Sequence, residues 1–166
     1  SSFLPGLAGV KGIPMWTFYT NRGQGMNSFG IDNKGNAIME FNSANTAFEN
    51  TQVKGFRTFL KIDGEYYEPF FTYEKEAKRQ MRMNKNSFKI IETNEKYGIE
   101  VTVNYYVLPN ESIGALVRQV SIKNISGQKK NIEIIDGLPK IITYGISNGE
   151  FKEMSNLFKS WAYIKN

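Results

Sequence analysis

Three groups of side chains in this 166-residue sequence have the types and spacing to do chemistry. The first is Trp16, Tyr19, Asn21, Arg22, Gln24 and Asn27, where an aromatic run meets Gly23 and Gly25. Aromatic faces stack on the C–H face of a pyranose, while planar amides and a guanidinium bond its hydroxyls. Trp16, Tyr19, Asn21, Arg22 and Gln24 are therefore the candidate substrate-binding residues, for a sugar. The plainer reading is a strand whose aromatics fill a core and whose polar loop meets water. Gly23-Gln24-Gly25 is too short for a nucleotide-binding fingerprint.

The second group is Lys75, Lys78, Arg79, Arg82, Lys85 and Lys89, with Tyr73 and Phe88 at its edges. Such a run can neutralise phosphates, but Glu74 and Glu76 dilute it, and a solvated face or a contact to another domain is the expectation. The third group is the 16 carboxylates. Paired-carboxylate catalysis needs two acids facing one cleft in different environments. Asp136, before Gly137-Leu138-Pro139, and Glu40 both end apolar strands, yet nothing pairs them, and a turn or capping role is expected for Asp136.

The chain has no cysteine and no histidine. That removes thiol chemistry, disulfides, histidine-based triads and zinc sites on N/S ligands. No catalytic residue, metal or cofactor is expected within the chain. The net charge of +5 is spread evenly over the two halves, so there is no basic domain or tail. With no signal-peptide pattern and no long apolar run, no membrane contact and a cytoplasmic location are expected.

The elements that must position these groups read mostly as strands. Residues 1–14, with Pro and Gly among apolar residues, read as an extended lead-in. Residues 15–148 read as an antiparallel sandwich. Within it, Ser28–Ile31 and Ala37–Phe41 flank a Gly-containing turn, and Asp63-Gly64 joins two aromatic-rich runs, a strong hairpin signal. The polar stretch Asn42–Thr51 suits a loop or a short helix, and residues 72–87 a surface helix or a basic connection. If helical, the latter puts Lys75, Lys78, Arg79 and Arg82 on one face.

Ile99, Val101, Val103, Tyr105 and Val107 share one parity, which marks a half-buried strand. Leu116, Arg118, Val120 and Ile122 do the same, with Arg118 the exception. Asn124–Lys130 reads as a turn from which Asn131–Asp136 returns as a strand. Over 149–161, Phe151, Met154, Leu157, Phe158 and Trp161 recur at helical steps, with Ser147 or Asn148 as N-cap, and a further strand is expected to start before residue 166. Short strands joined by turns, with one helix near the C-terminus, predict an all-β antiparallel sandwich.

The order of three segments, Ile99–Pro109, Leu116–Asn124 with Ser126-Gly127, and Lys129–Ile134, resembles the N-terminal region of cellobiose phosphorylase-like proteins, the inverting glycoside phosphorylases. Trp16–Phe41 is similar too, so that the resemblance spans residues 15–145. It implies a supersandwich of the galactose mutarotase-like type that precedes a helical (α/α) barrel carrying the catalytic acid and phosphate site. No residue here matches the barrel motif, and the lack of histidine speaks against mutarotase activity. With no initiating Met and a fresh strand at its end, the chain is expected to be an N-terminal piece of a longer protein.

The expected function is a non-catalytic β-domain of a carbohydrate-active protein, supporting the barrel, the substrate cleft or a dimer. The alternatives are an autonomous carbohydrate-binding module, with Trp16, Tyr19, Tyr66 and Tyr67 as exposed aromatics, or a protein-interaction domain using the basic stretch. The partners are then a carbohydrate, the catalytic domain of the same polypeptide or a second copy in a homodimer; nucleic acid is not expected.

Overall fold

A computed structural model describes residues 2–20, 22–29, 43–71, 76–139, 147, 149–150, 153–154 and 157. The described elements, in chain order, are β1 (Ser2–Ala8), β2 (Ile13–Tyr19), β3 (Met26–Phe29), α1 (Ala44–Lys54), β4 (Arg57–Ile62), β5 (Glu65–Tyr67), β6 (Lys78–Met83), β7 (Ser87–Asn94), β8 (Ile99–Val107), β9 (Leu116–Asn124) and β10 (Ile132–Gly137). They form three antiparallel sheets with strand orders β1-β2-β3, β10-β4-β5 and β6-β7-β8-β9. The fold is all-β and sandwich-like, as the strand pattern predicts. Among the described residues no helix is long and apolar enough to cross a membrane.

One core serves all three sheets. The alternation on β7 and β8 turns Phe88, Ile90, Ile99, Val101, Val103 and Tyr105 inward, where Leu60, Ile62 and Tyr67 of the second sheet and Tyr19 of the first meet them. Phe88 stacks on Tyr105 with centroids 4.9 Å apart, and Tyr19 lies tilted against Phe88 at 5.4 Å. Burying each such side chain stabilises the fold by roughly 1.5–3 kcal/mol.

The β4–β5 turn has the predicted chemistry. Asp63 and Gly64 both take positive φ, 49° and 95°, the conformation whose twist matches a two-residue hairpin. The lead-in is itself a strand, β1, paired with β2 along its whole length. The polar stretch after Asn42 resolves to helix α1. Ser43 caps it, its hydroxyl accepting from Thr46 N, and the chain leaves at Gly55, whose N–H bonds Thr51 O at 3.1 Å.

One expectation is corrected. The basic segment is not helical at Lys78–Met83: it is the edge strand β6, paired with β7. A strand sends neighbouring side chains to opposite faces, so Lys78 and Arg82 share one face and Arg79 takes the other. The strand expected over Asn131–Asp136 is present as β10. The turn after Asn124 carries the chain across to the second sheet, where β10 pairs with β4. Asp63 fastens that crossing: its N–H donates to Asn131 O and its carboxylate accepts from Asn131 N, both at 3.0 Å. The bond from Asn131 N, together with Lys130, holds the Asp63 carboxyl below the usual carboxylate range.

The hairpin expected around 32–36, and Glu40 with it, lies outside the described residues. Of the C-terminal segment, Gly149, Glu150, Glu153, Met154 and Leu157 are helical. Ser147 starts that helix in a capping box, its hydroxyl accepting from Glu150 N while the Glu150 carboxylate accepts from Ser147 N. Phe151, Phe158 and Trp161 of the predicted stripe lie outside the described residues.

Candidate functional site

Of the five residues that sequence reasoning put forward for a sugar, the four described, Trp16, Tyr19, Arg22 and Gln24, do not converge. β2 turns Met15, Thr17 and Tyr19 toward the core and Trp16 and Phe18 away from it. Trp16 and Tyr19 therefore lie on opposite faces, and one pyranose cannot stack on both. Tyr19 is buried, and burial pushes its phenol above the ordinary value, with Arg79 opposing and Glu92 adding to the rise. Arg22 is exposed and lies 4.3 Å over the Phe48 ring of α1. Gln24 is only 1% exposed. Asn21 lies outside the described residues.

Gln24 belongs to a polar clamp between the sheets. Its amide nitrogen donates to Thr58 Oγ1 on β4 at 2.8 Å, and its carbonyl accepts from Arg118 Nη2 on β9 at 2.5 Å. Arg118 also donates to both oxygens of Asp136 on β10, Nη1 to Oδ2 at 2.5 Å and Nη2 to Oδ1 at 2.9 Å. The Thr58 hydroxyl completes the set with a 2.6 Å bond to Asp136. Arg118 is thus the charged exception on an apolar strand face because it serves partners on other elements, and its guanidinium lies 4.7 Å over Phe56. Burial pushes the Asp136 carboxyl up, but the bonds from Arg118 and Thr58 outweigh it and hold the group below the usual carboxylate range. A carboxylate held this way is a poor base and a poor nucleophile.

Glu92 is the other buried acid. It accepts from the Tyr67 hydroxyl, from Phe70 N at 2.9 Å and from Arg79 Nε. Arg79 spends a second nitrogen on Phe71 O at 2.5 Å. The Phe70 backbone sits at φ 65°, a strained value for a bulky residue, and the Glu92 bond to its N–H helps to hold it there. Among the described residues, no three acidic side chains gather as a metal ion would need.

What the fold leaves open is the outer face of the second sheet. The inward parity of β4 is Thr58, Leu60 and Ile62, so Arg57, Phe59 and Lys61 point outward. Register places Ile135 of β10 opposite Phe59, and Tyr66 of β5 and Glu133 of β10 opposite Lys61. Tyr66 is 80% exposed, Ile135 74% and Phe59 38%. A groove of about 230 Å³ runs beside Phe59, Ile135 and Asp136 to the Gly137-Leu138-Pro139 corner. The charges of this face are paired: Arg57 grips Glu68 through two bonds of 2.7 and 2.8 Å, and Lys61 meets Glu133 at 2.9 Å. Sequence reasoning named Tyr66, but missed Phe59 and Ile135; the alternation through Thr58, Leu60 and Ile62 was the available signal.

Compared with the known protein families and with the curated proteins, the chain matches none.

Proposed function

We propose that this chain is a non-catalytic β-domain of a carbohydrate-active, glycoside phosphorylase-like protein, which works by packing against a neighbouring domain. The observation that carries the reading is the contrast within the second sheet. The acid that borders its groove, Asp136, is locked to Arg118, while Ile135 and the edge of Phe59 in the groove, and Tyr66 farther along the same face, are open to solvent. An apolar face rimmed by paired charges is the pattern of a surface that another protein surface covers. The carbohydrate setting rests on the resemblance of the segments that form β8, β9 and β10 to the phosphorylase N-terminal region, and the supersandwich type with it.

The ring of Tyr66 favours a second reading, a carbohydrate-binding module, because an exposed tyrosine beside a polar pair suits a sugar ring. One experiment separates the two. The purified chain is incubated with glucosyl and galactosyl disaccharides, with and without phosphate, and the same sugars are titrated calorimetrically. The domain reading expects no turnover and no heat of binding. Turnover above background overturns it, and saturable heat that Tyr66→Ala abolishes replaces it with the binding module.

A further inference from the structure

Seven cations of the described residues sit in ion pairs: Arg57, Lys61, Lys78, Arg79, Lys96, Arg118 and Lys130. Of those without a carboxylate among the described residues, Arg82, Lys85 and Lys89 lie together. Arg82 on β6 and Lys89 on β7 are register partners, and Lys85 is in the turn between them, which Asn84 N closes on Ser87 O at 2.8 Å. All three point away from the core or lie beyond it, since β7 turns Phe88 and Ile90 inward.

The register continues this pair into a row. Lys89 faces Asn104 on β8, and Asn104 faces Gln119 on β9. Arg82, Lys89, Asn104 and Gln119 therefore cross all four strands in line, over a span on the order of 14 Å. On the same face the next row runs Gln80, Ile91, Thr102 and Ser121. Glu100, the acid of this face, lies four residues along β8 from Asn104, roughly 13 Å away, and stands opposite Lys123.

Like charges directly opposite one another destabilise a sheet. Charged edge strands do protect against pairing with other chains, and that accounts for Arg82. It does not account for Lys89, because β7 is an interior strand. We propose that the outer face of the third sheet binds an acidic oligosaccharide, a chain of uronate type, along this row. The Arg82 guanidinium matches a carboxylate with two parallel bonds, Lys85 and Lys89 take the next charge, and the Asn104 and Gln119 amides with the Thr102 and Ser121 hydroxyls bond the sugar hydroxyls. A nucleic acid fits the face less well. Base stacking needs aromatic platforms, and the register puts Tyr106 at the end of this face, opposite Ser87. The inference stands on the charge placement of the third sheet and is independent of the docking face on the second.

The test is a titration at low salt with tetragalacturonate, with maltotetraose as the neutral chain of equal length and with a short single-stranded oligonucleotide. Tetragalacturonate alone is expected to bind. Arg82→Gln and Lys89→Gln are each expected to weaken it by up to about fivefold, the range of an exposed charge pair, and higher salt weakens it further. Asn104→Ala and Gln119→Ala should weaken it at constant charge. The melting temperature of each variant shows that it is folded. Absence of uronate binding, binding indifferent to Arg82 and Lys89, or binding indifferent to Asn104 and Gln119 overturns the proposal. Tighter binding of the oligonucleotide does so as well, in favour of nucleic acid.

Discussion

Arg79 and Arg82 stand three residues apart on one strand and do opposite work. Arg79 turns inward, where Glu92 is wholly buried, and its guanidinium holds that carboxylate and the Phe71 carbonyl. Arg82 turns outward and its nearest bond is a 3.2 Å contact to Gln80 on its own strand. The inner face of the third sheet pairs Arg79 with Glu92, and the outer face brings Arg82 and Lys89 together with no carboxylate partner among the described residues. A similar division runs along β4 of the second sheet, whose inner Thr58 joins the Arg118 clamp and whose outer Phe59 is exposed, whereas β10 is exposed on both parities, at Ile134 and Ile135. The core parity of the strands fixes the fold, and the outer parity is free to carry the function.

Breaking the inner side should produce the largest effect. Arg79→Ala strands Glu92 as a buried unpaired charge, and urea unfolding should show a loss of about 3–5 kcal/mol. Asp136→Asn weakens the clamp and should cost about 1–3 kcal/mol. The clamp also sets a pH dependence. The folded-state pKa of Asp136 lies below its unfolded value. Its contribution is therefore complete above the unfolded value near 4 and is lost as pH falls through the folded one. Unfolding midpoints measured between neutral and acid pH should show this decline in the native chain and a smaller one in Asp136→Asn.

The outer side should behave otherwise. Ile135→Lys, at a side chain 74% exposed, is expected to change stability by no more than about 0.5 kcal/mol, while the binding of an apolar fluorescent dye falls. Lys89→Glu should stabilise the chain by roughly 0.2–1 kcal/mol, because it turns a like-charge cross-strand pair into an opposite one. Loss of stability on that change would mean that Lys89 already has a folding role.

The legible parts of this fold were those carried by local pattern. The parity of Ile99, Val101, Val103 and Tyr105 announces a buried strand face, and all four are fully buried. Asp63-Gly64 announces its turn because few residue pairs tolerate two positive φ angles. The clamp was not legible, since Gln24 and Arg118 lie 94 residues apart and Thr58 and Asp136 lie 78 apart. Arg118 stood out only as a charge on an apolar face. The β6 segment misled because its run of charges shows no alternation, and its strand form comes from pairing with β7. The pairing of β10 with β4 was hidden for the same reason: a turn sequence specifies a change of direction, not the sheet that receives the next strand. Trp16, Tyr19 and Gln24 have the chemistry of a sugar site, but strand parity and burial divide them between two faces and the interior clamp.

The most direct test of the division between inner and outer faces is a two-dimensional amide NMR titration of the intact chain with tetragalacturonate and with a neutral disaccharide. With the uronate, shifts are expected at Arg82, Lys89, Asn104 and Gln119, and with the neutral sugar none. Shifts centred on Trp16, Arg22 and Gln24, with either ligand, would overturn the division between the two faces.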